Sequence, residues 1–103
     1  MKTVTIIGRK WFEKTNGNTY HTASIIVNGE HVITTPMEYG YGDQYQRTAE
    51  VWLRANGYMP NELMREPYSG QTDKRPEMLR SYCTRNGIAY HAEDVTVGRK
   101  RDL

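Results

Sequence analysis

Residues 9–21 read RKWFEKTNGNTYH, and this stretch decides the fold because an Asn-Gly pair divides two runs of alternating character. Asn-Gly between such runs is typical of a two-residue β-hairpin turn, since both residues accept positive φ. With this pair at the centre of the turn, Thr15 pairs with Asn18 and Phe12 pairs with His21. The chain is therefore predicted to begin with an antiparallel hairpin of defined register.

The two faces of this hairpin differ, because successive strand residues point to opposite sides of a sheet. The first face is apolar and is predicted to line the core: Val4, Ile6, Phe12, Ala23, Ile25 and Val27. The second face mixes aromatic, cationic and apolar side chains: Ile7, Arg9, Trp11, Tyr20, Thr22, Ser24 and Ile26. This mixture favours a contact surface over an interior.

A second Asn-Gly pair at residues 28–29 predicts a third strand and hence a three-stranded antiparallel β-meander in the order 1-2-3. Pairing across this turn places Val32 on the first face and Ile33 on the second. Pro36 lacks a backbone donor, so the third strand should weaken there, as suits an edge. The meander is predicted to occupy residues 1–42.

A helix is predicted within residues 43–58, packed across the first face of the sheet. Asp43 and Gln46 have the spacing of a capping box, and Gly57 provides the stop. The inward stripe is expected to hold Tyr45, Thr48, Ala49, Trp52 and Leu53, and Trp52 is expected to be its main anchor.

The rest of the chain predicts a loop at residues 59–75, with one short helical turn at 61–65, and then a second helix from Pro76 to Asn86. A short final strand falls within residues 88–97, interrupted by Glu93-Asp94, and residues 98–103 form a frayed basic tail. The predicted fold is a single α+β domain over residues 1–103, in which the meander packs on one helix and a second helix and the C-terminal strand complete the core.

The charge is unevenly distributed along the chain, although its net value is only +2. Both ends are basic and the middle is acidic, which favours an anionic partner at the terminal regions; ordinary solvated charge is the alternative. The single cysteine excludes an internal disulfide and is consistent with a reducing compartment. The first ten residues lack the apolar stretch of a signal peptide, and no run reaches membrane-spanning length, so a cytoplasmic protein with no membrane partner is expected.

Residues 11–21, WFEKTNGNTYH, together with YGYGDQY at residues 39–45, resemble a group of small uncharacterised proteins from phages and prophages. The likeness covers roughly residues 1–58 and brings no known activity or fold. It implies a bacterial host and an accessory protein that binds nucleic acid or disables a host protein, so it favours binding over chemistry.

For nucleic acid, the second face would place cations on phosphates and aromatic rings on bases. The candidate binding residues, for nucleic acid or another partner, are Arg9, Lys10, Trp11, Lys14, Tyr20, Thr22, Tyr39, Tyr41, Arg99, Lys100 and Arg101. In the alternative interpretation, the rings form an ordinary cross-strand cluster that stiffens the hairpin. No helix-turn-helix, zinc-finger or RNP-type string is present in the sequence.

For protein binding, Ile7, Ile26 and Ile33 provide an apolar patch that suits a partner or a homodimer. Alternatively, the second helix covers these isoleucines. The glycine-rich segment at residues 39–42 is either a recognition loop or a strand-to-helix connection whose tyrosines cover the core.

Catalysis and cofactors are not expected. The three histidines are scattered, and Cys83 lies on the apolar side of its predicted helix, where inert packing is a simpler role than a nucleophile paired with His91. No acid, base and pocket assemble from the pattern, and no metal site is predicted. Nucleic-acid binding is the leading hypothesis, inhibition of a host protein is the alternative, and an enzyme comes third.

Overall fold

The computed structural model describes residues 1–60 and 78–103. In these ranges the strands are β1 (Thr3–Glu13), β2 (Asn18–Val27), β3 (Glu30–Thr34), β4 (Glu38–Tyr39) and β5 (Ala89–Val97). The helices are α1 (Gln44–Ala55) and α2 (Leu79–Arg85), followed by one turn of 3-10 helix at Lys100–Asp102. The strands form one sheet in the order β3-β2-β1-β5, with β4 paired to β2. The predicted α+β class is confirmed, but the sheet is mixed because β5 runs parallel to β1.

The β1–β2 hairpin has a longer turn than the Asn-Gly pair predicts. Only Gly17 of that pair has positive φ, and its N–H donates to the Glu13 carbonyl at 2.9 Å, which leaves residues 14–17 as the loop. Loops of four residues built in this way are a common hairpin solution. Phe12 therefore pairs with Thr19 rather than with His21. The shift is two residues, so every side chain keeps its predicted face.

The first face carries the core, as predicted, with one exception. Val4, Ile6, Ala23, Ile25 and Val27 are all buried in one apolar cluster. Phe12 was expected in this set, but its side chain is 49% exposed. In the shifted register Phe12 lies near the hairpin tip. Tyr45, in the first turn of α1, covers the sheet at Gly8 and does not reach as far as Phe12.

The β2–β3 hairpin turns at Asn28 and Gly29, both with positive φ, as predicted. A bulge then inserts Val32, so that Ile33 pairs with Ile25 and packs against the core rather than joining the second face. The edge breaks at Pro36 as expected. There the Thr35 hydroxyl accepts the N–H of Ala23 at 2.9 Å, and pairing resumes with β4.

Strand β5 is continuous over nine residues, so the predicted interruption at Glu93-Asp94 is wrong. Acidic residues are tolerated here because β5 lies at the edge of the sheet, and Asp94 forms an ion pair with Lys10 of the neighbouring strand. Parallel pairing places Thr3 beside Ala89 and Trp11 beside Val97. The first and last strands of the chain are therefore neighbours in the sheet.

Both helices lie on the first face of the sheet. Tyr45, Ala49 and Leu53 of α1 and Leu79 and Cys83 of α2 belong to the same apolar cluster as the strand residues. Trp52, expected as the main anchor, is only partly buried and stacks on Tyr58 at the periphery.

The capping box at the start of α1 does not form, because the Asp43 side chain makes no capping hydrogen bond and the Gln46 amide oxygen accepts from the Tyr90 hydroxyl at 2.6 Å. The predicted helical turn at 61–65 and the predicted helix start at Pro76 lie outside the described residues. Met59, assigned to the loop by its sequence, is a buried member of the core.

No helix in the described parts of the chain is long and apolar enough to cross a membrane.

Candidate binding face

The second face of the sheet, here called the open face, points away from both helices. Its central residues are Ile7, Arg9, Trp11, Tyr20, Thr22, Ser24 and Ile26. The expected alternative, in which α2 covers the isoleucines, is wrong because Leu79 packs into the core on the other side. Within residues 1–60 and 78–103, neither helix packs on this face.

Three aromatic rings from adjacent strands form a continuous line at the turn-proximal end of the open face. Trp11 and Tyr20 are cross-strand partners whose ring centroids lie 5.9 Å apart at an interplanar angle of 27°. Tyr39 meets Tyr20 edge-on, also at 5.9 Å, and is 63% exposed. These three residues are called the aromatic row. The cross-strand cluster expected as an alternative does form, and it also presents ring surface to solvent.

A polar cluster lies next to the aromatic row. The Arg9 guanidinium donates to the Ser24 hydroxyl at 3.1 Å, and Ser24 shares a 2.8 Å hydrogen bond with Thr34. Thr22 pairs with Arg9 across the strands, and its hydroxyl oxygen is buried without a hydrogen-bond partner. Unsatisfied buried hydroxyls are uncommon in native folds. Among the described residues Arg9 forms no ion pair with an acidic side chain. The polar cluster thus contains an arginine without an acidic partner and a threonine hydroxyl without a hydrogen-bond partner.

The basic residues divide into two groups. Parallel pairing of β5 ends beside Trp11, so Arg99, Lys100 and Arg101 follow at the same end of the sheet as the hairpin turn that carries the exposed Lys14. Arg99 forms an ion pair with Asp102 at 3.5 Å within the 3-10 turn, which orders part of the predicted frayed tail. Lys10, also in the predicted binding set, is on the helix side of the sheet, where it forms an ion pair with Asp94 and donates to the Gly42 carbonyl.

The glycine-rich segment connects β4 to α1, but its tyrosines do not cover the core. Tyr39 and Tyr41 are 63% and 73% exposed, respectively. Tyrosine rings offer contact area with few rotatable bonds, which suits recognition. Of the predicted apolar patch, Ile7 and Ile26 remain on the open face and Ile33 does not.

Cys83 is fully buried in the core, and burial raises the pKa of its thiol to about 11. His91, the base considered for it, is exposed on β5. A thiol reagent is therefore expected to react with folded protein roughly a hundredfold more slowly than with urea-unfolded protein at mildly alkaline pH, because the thiolate is scarce and inaccessible. Stopped-flow absorbance measures both rates, and equal rates would contradict the burial.

A buried hydrogen-bond network lies beneath the aromatic row, on the helix side of the sheet. His21 is fully buried, with Nδ1 3.2 Å from the Gly40 carbonyl and Nε2 2.6 Å from the Thr48 hydroxyl. The Thr48 hydroxyl also donates at 3.1 Å to the carboxylate of Glu38, which is an exposed residue of β4. A histidine at an inward strand position between apolar neighbours requires polar partners, and that requirement is the signal that could have revealed the network.

The described residues contain no group of three or more histidine, cysteine, aspartate or glutamate side chains placed to hold a metal ion. The turn-proximal half of the open face thus combines stacked aromatic rings, an arginine, an unpartnered hydroxyl and adjacent lysine and arginine side chains. Such a surface can stack on planar groups and bind anions.

No protein-family model, no curated protein and no solved structure matches this chain.

Proposed function

We propose that this protein binds nucleic acid, without catalysis, through the turn-proximal half of its open face. The observation that carries the proposal is the aromatic row of Trp11, Tyr20 and Tyr39 beside Arg9 and next to the basic C-terminal segment. Base stacking on aromatic side chains and phosphate contacts by arginine and lysine are the two elements of single-strand binding. The resemblance to phage proteins favours the same function, an accessory factor acting in the cytoplasm of a bacterial host.

The distribution of charge supports this location on the molecule. Lys14 of the turn and Lys100 and Arg101 of the C-terminal segment are exposed at one end of the sheet. Glu93, an exposed acid of β5, is level with Ile7 near the middle of β1 and so lies farther from the hairpin turn. A polyanion would therefore lie across the aromatic end, where its backbone meets the cations.

The test is a fluorescence-anisotropy titration against labelled single-stranded and double-stranded DNA and RNA at low and moderate salt. Salt-sensitive binding to one of these forms supports the proposal, because phosphate contacts release counterions. No binding to any form, even at low salt, would overturn it.

Trp11→Ala is expected to weaken nucleic-acid binding roughly tenfold to a hundredfold, because loss of one stacked base costs about 1–3 kcal/mol. Arg9→Ala is expected to weaken binding and to reduce its salt dependence, because a phosphate contact is lost. Anisotropy titrations measure both effects.

The matched control for Trp11→Ala is Trp52→Ala. Trp52 also stacks on a tyrosine, with a centroid distance of 5.7 Å and an angle of 26°, but it lies on the helix side of the sheet. Trp52→Ala should leave the affinity unchanged. If both tryptophan variants lose binding equally, or if Trp11→Ala and Arg9→Ala bind normally, the open face is the wrong surface.

Binding to a host protein is the second candidate, favoured by the exposed rings of Tyr39, Tyr41 and Phe12 around the same end of the sheet. Exposed aromatic side chains are enriched in protein interfaces. Salt separates the two candidates, since an apolar interface depends only weakly on ionic strength. A host-protein pull-down with wild type and Tyr41→Ala is the corresponding experiment if nucleic acid fails to bind.

A further inference from the structure

Arg9 reaches diagonally across the open face to Ser24 and lies beside Thr22. Arg9 is directly opposite Thr22, whereas Ser24 is two residues farther along β2 and opposite Ile7. Nη1 of Arg9 donates to the Ser24 hydroxyl at 3.1 Å. Neighbouring side chains on one face of an antiparallel pair lie within reach of one another. The Thr22 hydroxyl is thus flanked by Arg9 across the strands and by Ser24 along β2.

Thr22 is buried although it points away from both helices. It is 5% exposed, and its hydroxyl oxygen lacks a hydrogen-bond partner in the part of the chain that the structure describes. A buried hydroxyl without a partner costs free energy that an apolar side chain of the same shape does not. Threonine at this position therefore makes the free protein less stable than valine would, and a bound ligand is a state in which the hydroxyl gains a partner.

Arg9 also has unused donors. A guanidinium carries several N–H groups, and the hydrogen bonds between described residues use one of them, on an uncharged hydroxyl. Hydrogen bonds from arginine to phosphate oxygens are charge-assisted, often paired, and about twice as strong as those between neutral groups. Exchange of the Ser24 hydroxyl for a phosphate is therefore favourable for Arg9.

Ser24 can supply a hydrogen to the same ligand. Its hydroxyl shares a 2.8 Å hydrogen bond with Thr34, whose hydroxyl lies 2.9 Å from Nε2 of His31. In the imidazole tautomer with its hydrogen on Nε2, His31 donates to Thr34 and Thr34 donates to Ser24. The hydrogen of Ser24 is then available to a phosphate oxygen while the rest of this chain of hydrogen bonds stays intact.

The acids that share the open face on β1 and β5 contact other residues. Glu13 accepts from the Asn16 side chain near the hairpin turn, and Glu93 lies 3.5 Å from His91 on its own strand. Neither forms an ion pair with Arg9. An anion at Arg9 would therefore displace a hydroxyl and not a carboxylate.

We propose that Arg9, Thr22 and Ser24 form a phosphate-binding subsite that opens when Arg9 turns away from Ser24. This inference rests on the proposed function of the open face and names a contact that nucleic acid makes beside the aromatic row. Thr22 and Ser24 are two residues apart along β2, a separation of about 6–7 Å that one phosphate group can bridge. In the complex the guanidinium and both hydroxyls donate to that group.

The first experiment needs no nucleic acid. Inorganic phosphate is titrated into the protein at constant ionic strength and followed by proton–nitrogen NMR. Saturable shifts should centre on the Arg9 guanidinium and on the backbone amides of Thr22 and Ser24. Thr22→Val should raise the Kd for phosphate about tenfold, as for loss of one hydrogen bond to a charged group.

Thr5→Val is the matched control, because it removes a half-buried hydroxyl from the same face four residues from Arg9. It should keep the wild-type Kd for phosphate. The subsite is overturned if the polar cluster shows no saturable shifts, or if Thr22→Val binds phosphate as tightly as wild type.

Thermal unfolding of the free protein gives an independent readout. Thr22→Val should raise Tm by about 4–8 °C, because it removes the unpartnered hydroxyl and keeps the shape of the side chain. Thr35→Val is the comparison, since Thr35 is equally buried but its hydroxyl accepts the Ala23 N–H, so its Tm should fall. A lower Tm for Thr22→Val would mean that the hydroxyl has a partner in the free protein, and the subsite would be wrong. Weaker phosphate binding in a more stable variant cannot come from misfolding.

The second experiment measures anisotropy with two single-stranded oligonucleotides that differ only in a 5′-terminal phosphate. Weaker binding of both by Thr22→Val identifies a backbone phosphodiester as the occupant, and weaker binding of the phosphorylated one alone identifies the terminal phosphate. Normal binding of both overturns the subsite and leaves the proposed function intact. If inorganic phosphate binds the polar cluster but no oligonucleotide binds, even at low salt, the proposed function fails and the subsite stands.

Discussion

Gly8→Ala is expected to destabilise the protein by about 3 kcal/mol or more, the upper part of the range for overpacked cores. A Cβ on Gly8 would lie 2.4 Å from Cγ of Tyr45 and 2.7–2.8 Å from the two neighbouring ring carbons. Tyr45 is itself only 4% exposed and belongs to the core cluster, so its ring has little space into which to retreat. Urea unfolding followed by circular dichroism measures the change in the free energy of unfolding.

The control for this prediction is Gly98→Ala, because no atom beyond its chain neighbours lies within 4 Å of the added methyl group. Its effect should stay within about 0.5 kcal/mol. A double-mutant cycle with Tyr45→Leu adds a direct test, since Gly8→Ala should cost less once the ring is gone. Equal effects of the two glycine substitutions would show that the ring does not lie against Gly8.

Glu50→Ala is expected to lower stability by about 3–5 kcal/mol, the cost of breaking a buried ion pair by removing one partner. The Glu50 carboxylate is 2% exposed and accepts from Arg47 at 2.6 Å and from Arg54 at 3.2 Å. It also accepts the backbone N–H of Leu79 at 3.0 Å, at the start of α2, whose own N-cap residue provides no side-chain bond. One carboxylate therefore neutralises a buried arginine and caps a distant helix.

Loss of Glu50 should affect α2 more than the β1–β2 hairpin. Amide hydrogen exchange measured by NMR is expected to show lower protection in residues 79–85 at conditions where β1 and β2 stay protected. Glu93→Ala, which removes an exposed acid, is the control and should change stability by no more than about 0.5 kcal/mol. Uniform loss of protection across both elements would contradict the capping role.

The parts of the fold that follow from local sequence were predictable. The Asn28-Gly29 turn, the alternation of faces in β1 and β2, the break at Pro36 and the end of α1 before Gly57 each depend on neighbouring residues. The first turn was predicted in position but not in length, because the shifted register depends on Asn16 keeping negative φ, which the dipeptide does not reveal.

The parts that depend on distant residues were not predictable. Glu93-Asp94 has the composition of a strand break, and only the ion pair with Lys10 and the edge position of β5 make it acceptable. Glu50 and Arg54 have the spacing of an ordinary exposed helix pair, yet both are buried beneath α2 and Pro60. The open face follows from the alternation in β1 and β2, but the ion pair of Lys10 with Asp94 could not be predicted because it depends on the parallel pairing of β5 with β1.

The position of β1 between β2 and β5 has a consequence for how the chain folds during synthesis. Strand β1 pairs with β2 as soon as the hairpin leaves the ribosome. The other edge of β1 stays unpaired until β5, the last strand of the described chain, has been synthesised. Long-range parallel pairing of this kind forms slowly. Until it forms, the unpaired backbone N–H and C=O groups of β1 can pair with strands of other chains. Chains released before residues 89–97 are made should therefore aggregate rather than fold partially.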